Sequence, residues 1–286
     1  MKKLRQIIAD VKTAIADTPD DLNDLLWQLI CYSPKMPLRL QQEQLLNEAE
    51  KFSLPVKDEY FAQKELHFNG FIWGSGQRKI LITHGWGSKA ADFSELITAL
   101  REVDDVQIIA FDAPGNGSSE GELSNLLLYK EAVKAIIQNY GTPDVLIGHS
   151  LGGMANVVAL KELSVSPSLL VSLTPLIRLK ENFEASMNAV GVPQAAQTKF
   201  LDDFKVKFNM PASHFNLNNW YPFDARLKHW LAYDKGDLIS TYDYLEGFLN
   251  KYPFIENSEY PGTGHERILK SPQLIGDLMR LVKSNQ

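Results

Sequence analysis

Residues 145–158 read VLIGHSLGGMANVV. Val145, Leu146 and Ile147 run without a polar break into Gly148, and the run stops at Ser150 among Gly148, Gly152 and Gly153. The segment after Ser150 has the composition of a helix. A continuously apolar run of this length bounded by glycines reads as a buried strand. Gly-x-Ser-x-Gly between a strand and a helix has a specific physical consequence. The sharp turn forces the serine into a strained backbone conformation, and small neighbours let strand and helix approach closely. The hydroxyl is left at the top of the sheet, above a helix N-terminus. Ser150 is therefore read as a nucleophile, with a plain tight turn as the alternative.

The flanking sequence repeats the pattern. RKILITHGWG (78–87) is a short apolar strand ending in glycines, DFSELITALREV (92–103) a helix, and DVQIIAFDAPGNGSS (105–119) a buried strand and turn. NLLLYKEAVKAIIQNYG (125–141) is a helix closed by Gly141, and SLLVSLTP (168–175) a further strand. Alternating helices and continuously apolar strands imply an α/β fold with a mostly parallel sheet covered on both faces. Residues 176–222 are polar and mixed, with short helical patterns, and read as an insertion. LKHWLAYDKGD (227–237) resumes as a strand, PFIENSEYPGTGHERIL (253–269) holds the last strand and its loop, and SPQLIGDLMRLVKSNQ (271–286) is a closing helix.

Residues 1–55 read as a helical extension, with 56–286 as the main domain. Leu4, Ile7, Ile8, Val11 and Ile15 recur at helical spacing. DDLNDLLWQLICY opens with the acidic residues a helix N-terminus favours, SPKMPLR breaks the pattern, and QQEQLLNEAEKF reads as a third helix. QKELHFNGFIWGSG suggests two strands turning at Asn69-Gly70, a favoured hairpin dipeptide. The amphipathic pattern of the extension allows packing on the main domain, a homodimer through these helices, or a lid formed by them over the site.

Bulk properties narrow the function classes. The chain has 286 residues, 44% hydrophobic and 22% charged, with net charge -6, which argues against a nucleic-acid binder. The single cysteine, Cys31, makes no intramolecular disulfide. The basic start MKKLRQIIAD is interrupted by Asp10, so it is not read as a signal peptide, and no apolar run reaches the ~18 residues of a membrane span. A cytoplasmic protein is the expectation.

A serine nucleophile needs a base. Of six histidines, His67 and His229 fall in strands, His84 and His149 in tight turns, and His214 in the insertion. His265 lies in the glycine-rich loop after the last strand, where catalytic groups of an open α/β sheet converge. The base needs an orienting carboxylate, and LAYDKGDLIS offers Asp237 and Asp234. Asp237 is preferred because apolar Ile239 beside it can pin the loop down, and Asp234 stays open. The backbone amide of Leu151 is one oxyanion donor, and that of Trp86, in THGWG (83–87), is the second. His84 is read as holding that loop. The histidines are scattered without ligand spacing, and no Gly-x-Gly-x-x-Gly follows a strand, so neither a metal nor a cofactor is expected.

HGWG, AFDAPGNGSS, GHSLGG, DKGD and GTGHERIL, in this order and spacing, closely resemble the α/β-hydrolase fold superfamily over about residues 60–286. The order Ser150, Asp237, His265 is that of its triad. The resemblance implies a serine hydrolase of carboxylic esters or thioesters, with Ser150 as nucleophile, His265 as base, Asp237 as acid, and 176–222 as a short lid. Asn116 stands where many relatives have histidine, in a structural turn. The proline that often follows the acid motif is absent from DLIST. Superfamily members that attack with aspartate are set aside by the serine at 150. Carbon–carbon bond hydrolysis or perhydrolysis on the same triad, and a catalytically idle binding protein, are the competing readings. The expected partner is a small acyl substrate. Its identity is not legible, although Phe183, Met187, Phe200, Phe204, Phe208 and Met210 suggest an apolar lining.

Overall fold

The computed structural model describes residues 2–17 and 22–285. The pair Asp20–Asp21, expected to open the second helix, lies outside the described residues. Helices α1 (Lys2–Asp17), α2 (Leu22–Cys31) and α3 (Leu40–Asn47) come first, with 33–39 held out of helix around Pro34 and Pro37. Strand β1 (Glu50–Asp58) comes next and pairs antiparallel with β2 (Lys64–Trp73).

This hairpin differs from the sequence expectation. Residues 50–55, read as part of the helical extension, are strand, and Asn69-Gly70 lies inside β2 rather than at its turn. The turn falls at 59–63, where the Asp58 carboxylate accepts from the amides of Tyr60, Phe61 and Ala62 at 3.0, 3.1 and 2.8 Å. Gly70 has a packing reason instead. The ring of Phe52 on β1 occupies the space a Cβ would need, 2.0 Å away. Asn69 is held in the strand by its carbonyl, which accepts from the Asp112 amide at 2.9 Å.

The chain then alternates as β3 (Arg78–Thr83), α4 (Ser94–Leu100), β4 (Val106–Phe111), α5 (Leu126–Tyr140), β5 (Val145–His149), α6 (Leu151–Leu163) and β6 (Leu169–Leu173). The insertion carries α7 (Leu179–Ala189), α8 (Gln194–Phe208) and α9 (Leu217–Trp220), and a bridge between Arg178 and Asn216 closes its base. Strand β7 (Lys228–Tyr233), α10 (Tyr242–Lys251), β8 (Glu256–Glu259), α11 (Gly264–Arg267) and α12 (Pro272–Ser284) complete the chain. Helix α10 has no counterpart in the sequence reading.

Among the described residues, eight strands form one sheet in the order β1-β2-β4-β3-β5-β6-β7-β8. β1/β2 and β2/β4 are antiparallel, and all other neighbours are parallel. This is the α/β-hydrolase fold. The two-residue period of the strands separates two cores. Ile80, Ile82, Val145, Ile147 and Val171 face α4 and α12, whereas Leu81, Leu146, Leu170 and Leu231 face α5, α6 and α10. Ile7 and Val11 of α1 are buried in the second of these cores, so the apolar stripe of α1 packs within its own chain. Trp27 of α2 packs on Phe200, Phe204 and Phe208 of α8, with ring centroids 4.7, 6.1 and 5.9 Å apart.

Candidate active site

The strand β5 ends at His149, and α6 begins at Leu151. Ser150 between them has φ 52° and ψ −122°, a conformation that side-chain-bearing residues rarely adopt. Its neighbours make the turn feasible. A Cβ on Gly152 would lie 2.4 Å from the carbonyl oxygen of His84, and one on Gly148 would lie 2.6 Å from the Cα of Gly153. The turn is also tied sideways: the Ser150 amide donates to the Leu173 carbonyl at 3.0 Å, and its own carbonyl accepts from Leu176 at 3.1 Å. Ser150 is 7% exposed and lines a cavity of about 1060 Å³.

His265 stands in the first turn of α11, on the wall of the same cavity. Its Nδ1 lies 2.6 Å from Oδ2 of Asp237, in the loop after β7. Because a carboxylate only accepts, Nδ1 carries the proton, and the lone pair of the neutral ring is on Nε2. The other oxygen of Asp237 accepts from the amides of Ile239 and Ser240 at 2.8 and 3.0 Å. Burial pushes this carboxyl upward. The hydrogen bond and charge of His265, with the two amides, outweigh burial and hold Asp237 below the usual carboxylate range.

Asp234, the other acid considered from sequence, does different work. It accepts from the amide of Gly236 at 2.8 Å and from that of Gly264 at 2.6 Å. It therefore ties the loop after β7 to the loop that carries His265. The structure brings His265 to Asp237 and sets Ser150 and His265 on one cavity. In this arrangement Ser150 and His265 are not hydrogen-bonded to each other, a looseness common before substrate binds.

Trp86 and Leu151 also line the cavity. Leu151 is the first residue of α6, so its amide has no acceptor within the helix. The Trp86 loop is held by His84. The Ala113 amide donates to His84 Nε2 at 2.9 Å, which leaves Nδ1–H to donate to the Gly85 carbonyl at 2.6 Å. The Tyr129 hydroxyl donates to the same carbonyl at 2.9 Å. Burial pulls the His84 ring downward, so it stays neutral. Asn116 likewise supports a turn, donating to Pro114 O and Ser124 Oγ, both at 3.2 Å, and accepting from Ser33.

Of the apolar residues expected to line the site, Phe183, Phe204 and Phe208 do so. Met187 and Phe200 are fully buried in packing, and Met210 packs on the same core. Sequence reasoning allowed the N-terminal helices to lid the site but named none of the residues they supply to it. Leu29, Ile30 and Tyr32, with Pro34 and Met36, form part of the cavity wall. A helical period marks a buried stripe, and the residues flanking that stripe carry no signal of a cavity.

The description Alpha/beta hydrolase family matches residues 80–273. Rat (Rattus norvegicus) monoglyceride lipase is 30% identical over 112 residues, 36% of this chain and 37% of that protein. A Petunia hybrida protein named karrikin insensitive 2 receptor CA is 30% identical over 103 residues, 34% of this chain and 37% of that protein. The chain thus matches a little over a third of the length of these relatives. An esterase from Pyrococcus furiosus superposes with a TM-score of 0.58 at 17% identity, covering 90% of this chain and 97% of that one. The family match spans most of the sheet and the loops that carry Trp86, Ser150, Asp237 and His265: the chain belongs to the alpha/beta hydrolase family.

Proposed function

We propose that this chain is a serine hydrolase that cleaves a carboxylic ester or thioester through an acyl-enzyme. The contact of His265 Nδ1 with Asp237 carries this reading, because it fixes the tautomer whose Nε2 can accept a proton. Ser150 Oγ attacks the substrate carbonyl carbon, and its proton passes to Nε2 of His265. Asp237 holds the ring and stabilises the imidazolium. The amides of Trp86 and Leu151 take the oxyanion of the tetrahedral intermediate. Collapse breaks the bond to the leaving group, which departs with the proton from His265. Water then gives a proton to His265 and attacks the acyl-enzyme, and the acid is released as Ser150 regains its proton. No cofactor enters these steps.

Family membership supports the reading, as do a monoglyceride lipase and an esterase among the similar proteins. One similar protein is named a receptor, so binding without turnover on the same scaffold is the competing reading. A fluorophosphonate probe separates the two. Labelling of Ser150, with loss of p-nitrophenyl butanoate turnover in Ser150→Ala, is the expected result. A folded protein that neither labels nor turns over the ester overturns the hydrolase reading.

A further inference from the structure

The segment before the sheet is fixed against the loops around Ser150. The Ser124 amide donates to the Cys31 carbonyl at 2.8 Å, Lys35 Nζ to the Ser119 carbonyl at 2.7 Å, and Gln42 Nε2 to the Ala91 carbonyl at 3.1 Å. Pro34 lies alongside Gly87, next to Trp86. Helix α2 is pressed onto α8 through Trp27. The first helices are thus a wall of the cavity that contains Ser150.

That wall is chemically one-sided. Leu29 and Ile30 of α2, Leu179 and Phe183 of α7, and Phe204 and Phe208 of α8 give an apolar surface on the side of the α5–α6 core. The charged lining residues Arg39, Asp92 and Lys270 lie on elements that pack on the opposite core, and the polar residues on the apolar side, Ser124, Asn125, Asn182 and Ser186, are uncharged. The volume, about 1060 Å³, lies at the top of the range of roughly 300–1,000 Å³ usual for small-molecule pockets. A short acyl group on Ser150 would leave most of it unfilled, whereas each methylene placed against these helices leaves water.

We propose that α2, together with α7 and α8, is the acyl-selectivity element, and that the site takes esters of a long apolar acyl chain. The proposal rests on the serine-hydrolase reading above. The chain runs from Ser150 between Leu29–Ile30 and the aromatic residues of α8, and the leaving group points to the polar side. Leu29 and Ile30 precede the family match at 80–273, whereas α7 and α8 lie within it, so part of this side of the acyl site is built by residues outside the matched part of the chain.

The test compares p-nitrophenyl butanoate with p-nitrophenyl dodecanoate. The intact chain is expected to have the higher kcat/KM on dodecanoate. Leu29→Trp, which fills the cavity from a half-buried position, is expected to lower the dodecanoate-to-butanoate ratio of kcat/KM at least tenfold. Leu29→Ala is the second variant and is expected to keep the long-chain preference. Titration with dodecanoate reads the same cavity without turnover, and Leu29→Trp is expected to weaken its binding at least tenfold. Dodecanoate binding in a chain whose Ser150 does not label leaves the cavity assignment standing and overturns the hydrolase reading alone. An unchanged ratio and unchanged dodecanoate binding in a Leu29→Trp chain with an unaltered circular dichroism spectrum overturn the proposal. So does a wild-type chain that binds no dodecanoate.

Discussion

His149 Nε2 lies 2.8 Å from the carbonyl oxygen of His265, and the two rings are 4.8 Å apart. A carbonyl only accepts, so His149 donates through Nε2–H. The residue just before Ser150 therefore holds the backbone of His265. Burial, reinforced by the nearby His265, lowers the His149 pKa to about 3, so the ring stays neutral at ordinary pH. His149→Phe keeps a ring and removes the donor. A single hydrogen bond is worth about 0.5–1.5 kcal/mol, so kcat on p-nitrophenyl butanoate is expected to fall by up to about tenfold with KM little changed. His149→Gln restores a donor and is expected to recover part of the loss. Equal effects of Phe and Gln, or a change confined to KM, would count against a positioning role.

Asp237 and Asp234 are three residues apart and separable by experiment. Asp237→Asn replaces the acceptor of His265 Nδ1–H with a group that can also donate, which allows the wrong tautomer. On the triad assignment kcat is expected to fall by about 10⁴-fold with the fold intact. Asp234→Asn weakens the bond to the Gly264 amide at 2.6 Å and is expected to lower the melting temperature. Its loss of kcat is expected to be at most about tenfold, the worth of one hydrogen bond. Larger loss in Asp234→Asn than in Asp237→Asn would reverse the assignment. The Asp237 pKa is lowered on folding, so its stabilising contribution is present above the ordinary value of 3.8. It is lost only as pH falls below that value.

Much of this geometry is legible in the chain because it is local. Gly148, Gly152 and the run Val145–Ile147 state a strand, a tight turn and a helix start within a few residues. The alternation of β3 to β6 with their helices rests on the same kind of pattern. The β1–β2 hairpin was not legible, because its turn is set by the Asp58 side chain and Gly70 answers to the Phe52 ring across the strands. Both are long-range or side-chain effects that a turn dipeptide does not encode. The choice between Asp237 and Asp234 was open for a related reason. Either acid fits the loop after β7, and only the approach of the loop at 264–265 distributes their partners. The part of α2 in the cavity needed the position of the insertion, far along the chain, which no periodicity carries.

Acid stability has a predictable sign. His229 is buried between the Tyr221 hydroxyl at 2.7 Å and the Ser172 hydroxyl at 2.9 Å. Burial lowers its pKa from 6.5 to about 3, as burial does for His149. Between these values the unfolded chain binds protons that the folded chain refuses. Stability is therefore full above pH 6.5 and falls as pH drops toward 3. Each such histidine contributes a slope of up to about 1.4 kcal/mol per pH unit in that window. His229→Gln removes one titrating site, and its urea midpoint is expected to fall less steeply between about pH 6 and pH 4 than that of the parent. Parallel pH dependences in the two proteins would rule out a neutral buried His229.

The attachment of the first helices has its own test. Trp27 is 8% exposed, packs on Phe200, Phe204 and Phe208, and lies beneath Lys207 Nζ at 5.4 Å from the ring centroid. Truncation to alanine removes the aromatic contacts of α2 with Phe200, Phe204 and Phe208 of α8 and leaves a void, because Phe200 and Phe204 are themselves packed on Phe183 at 6.1 and 5.6 Å. Trp27→Ala is expected to cost about 3–5 kcal/mol in urea unfolding followed by circular dichroism. Trp27→Phe keeps an aromatic face against Phe200 and is expected to cost less than half as much. If α2 is a wall of the site, Trp27→Ala also lowers turnover of the long-chain ester more than that of the short one, at temperatures where the protein remains folded. A loss of stability with no change in chain-length preference would separate the two roles, leaving Trp27 as packing alone.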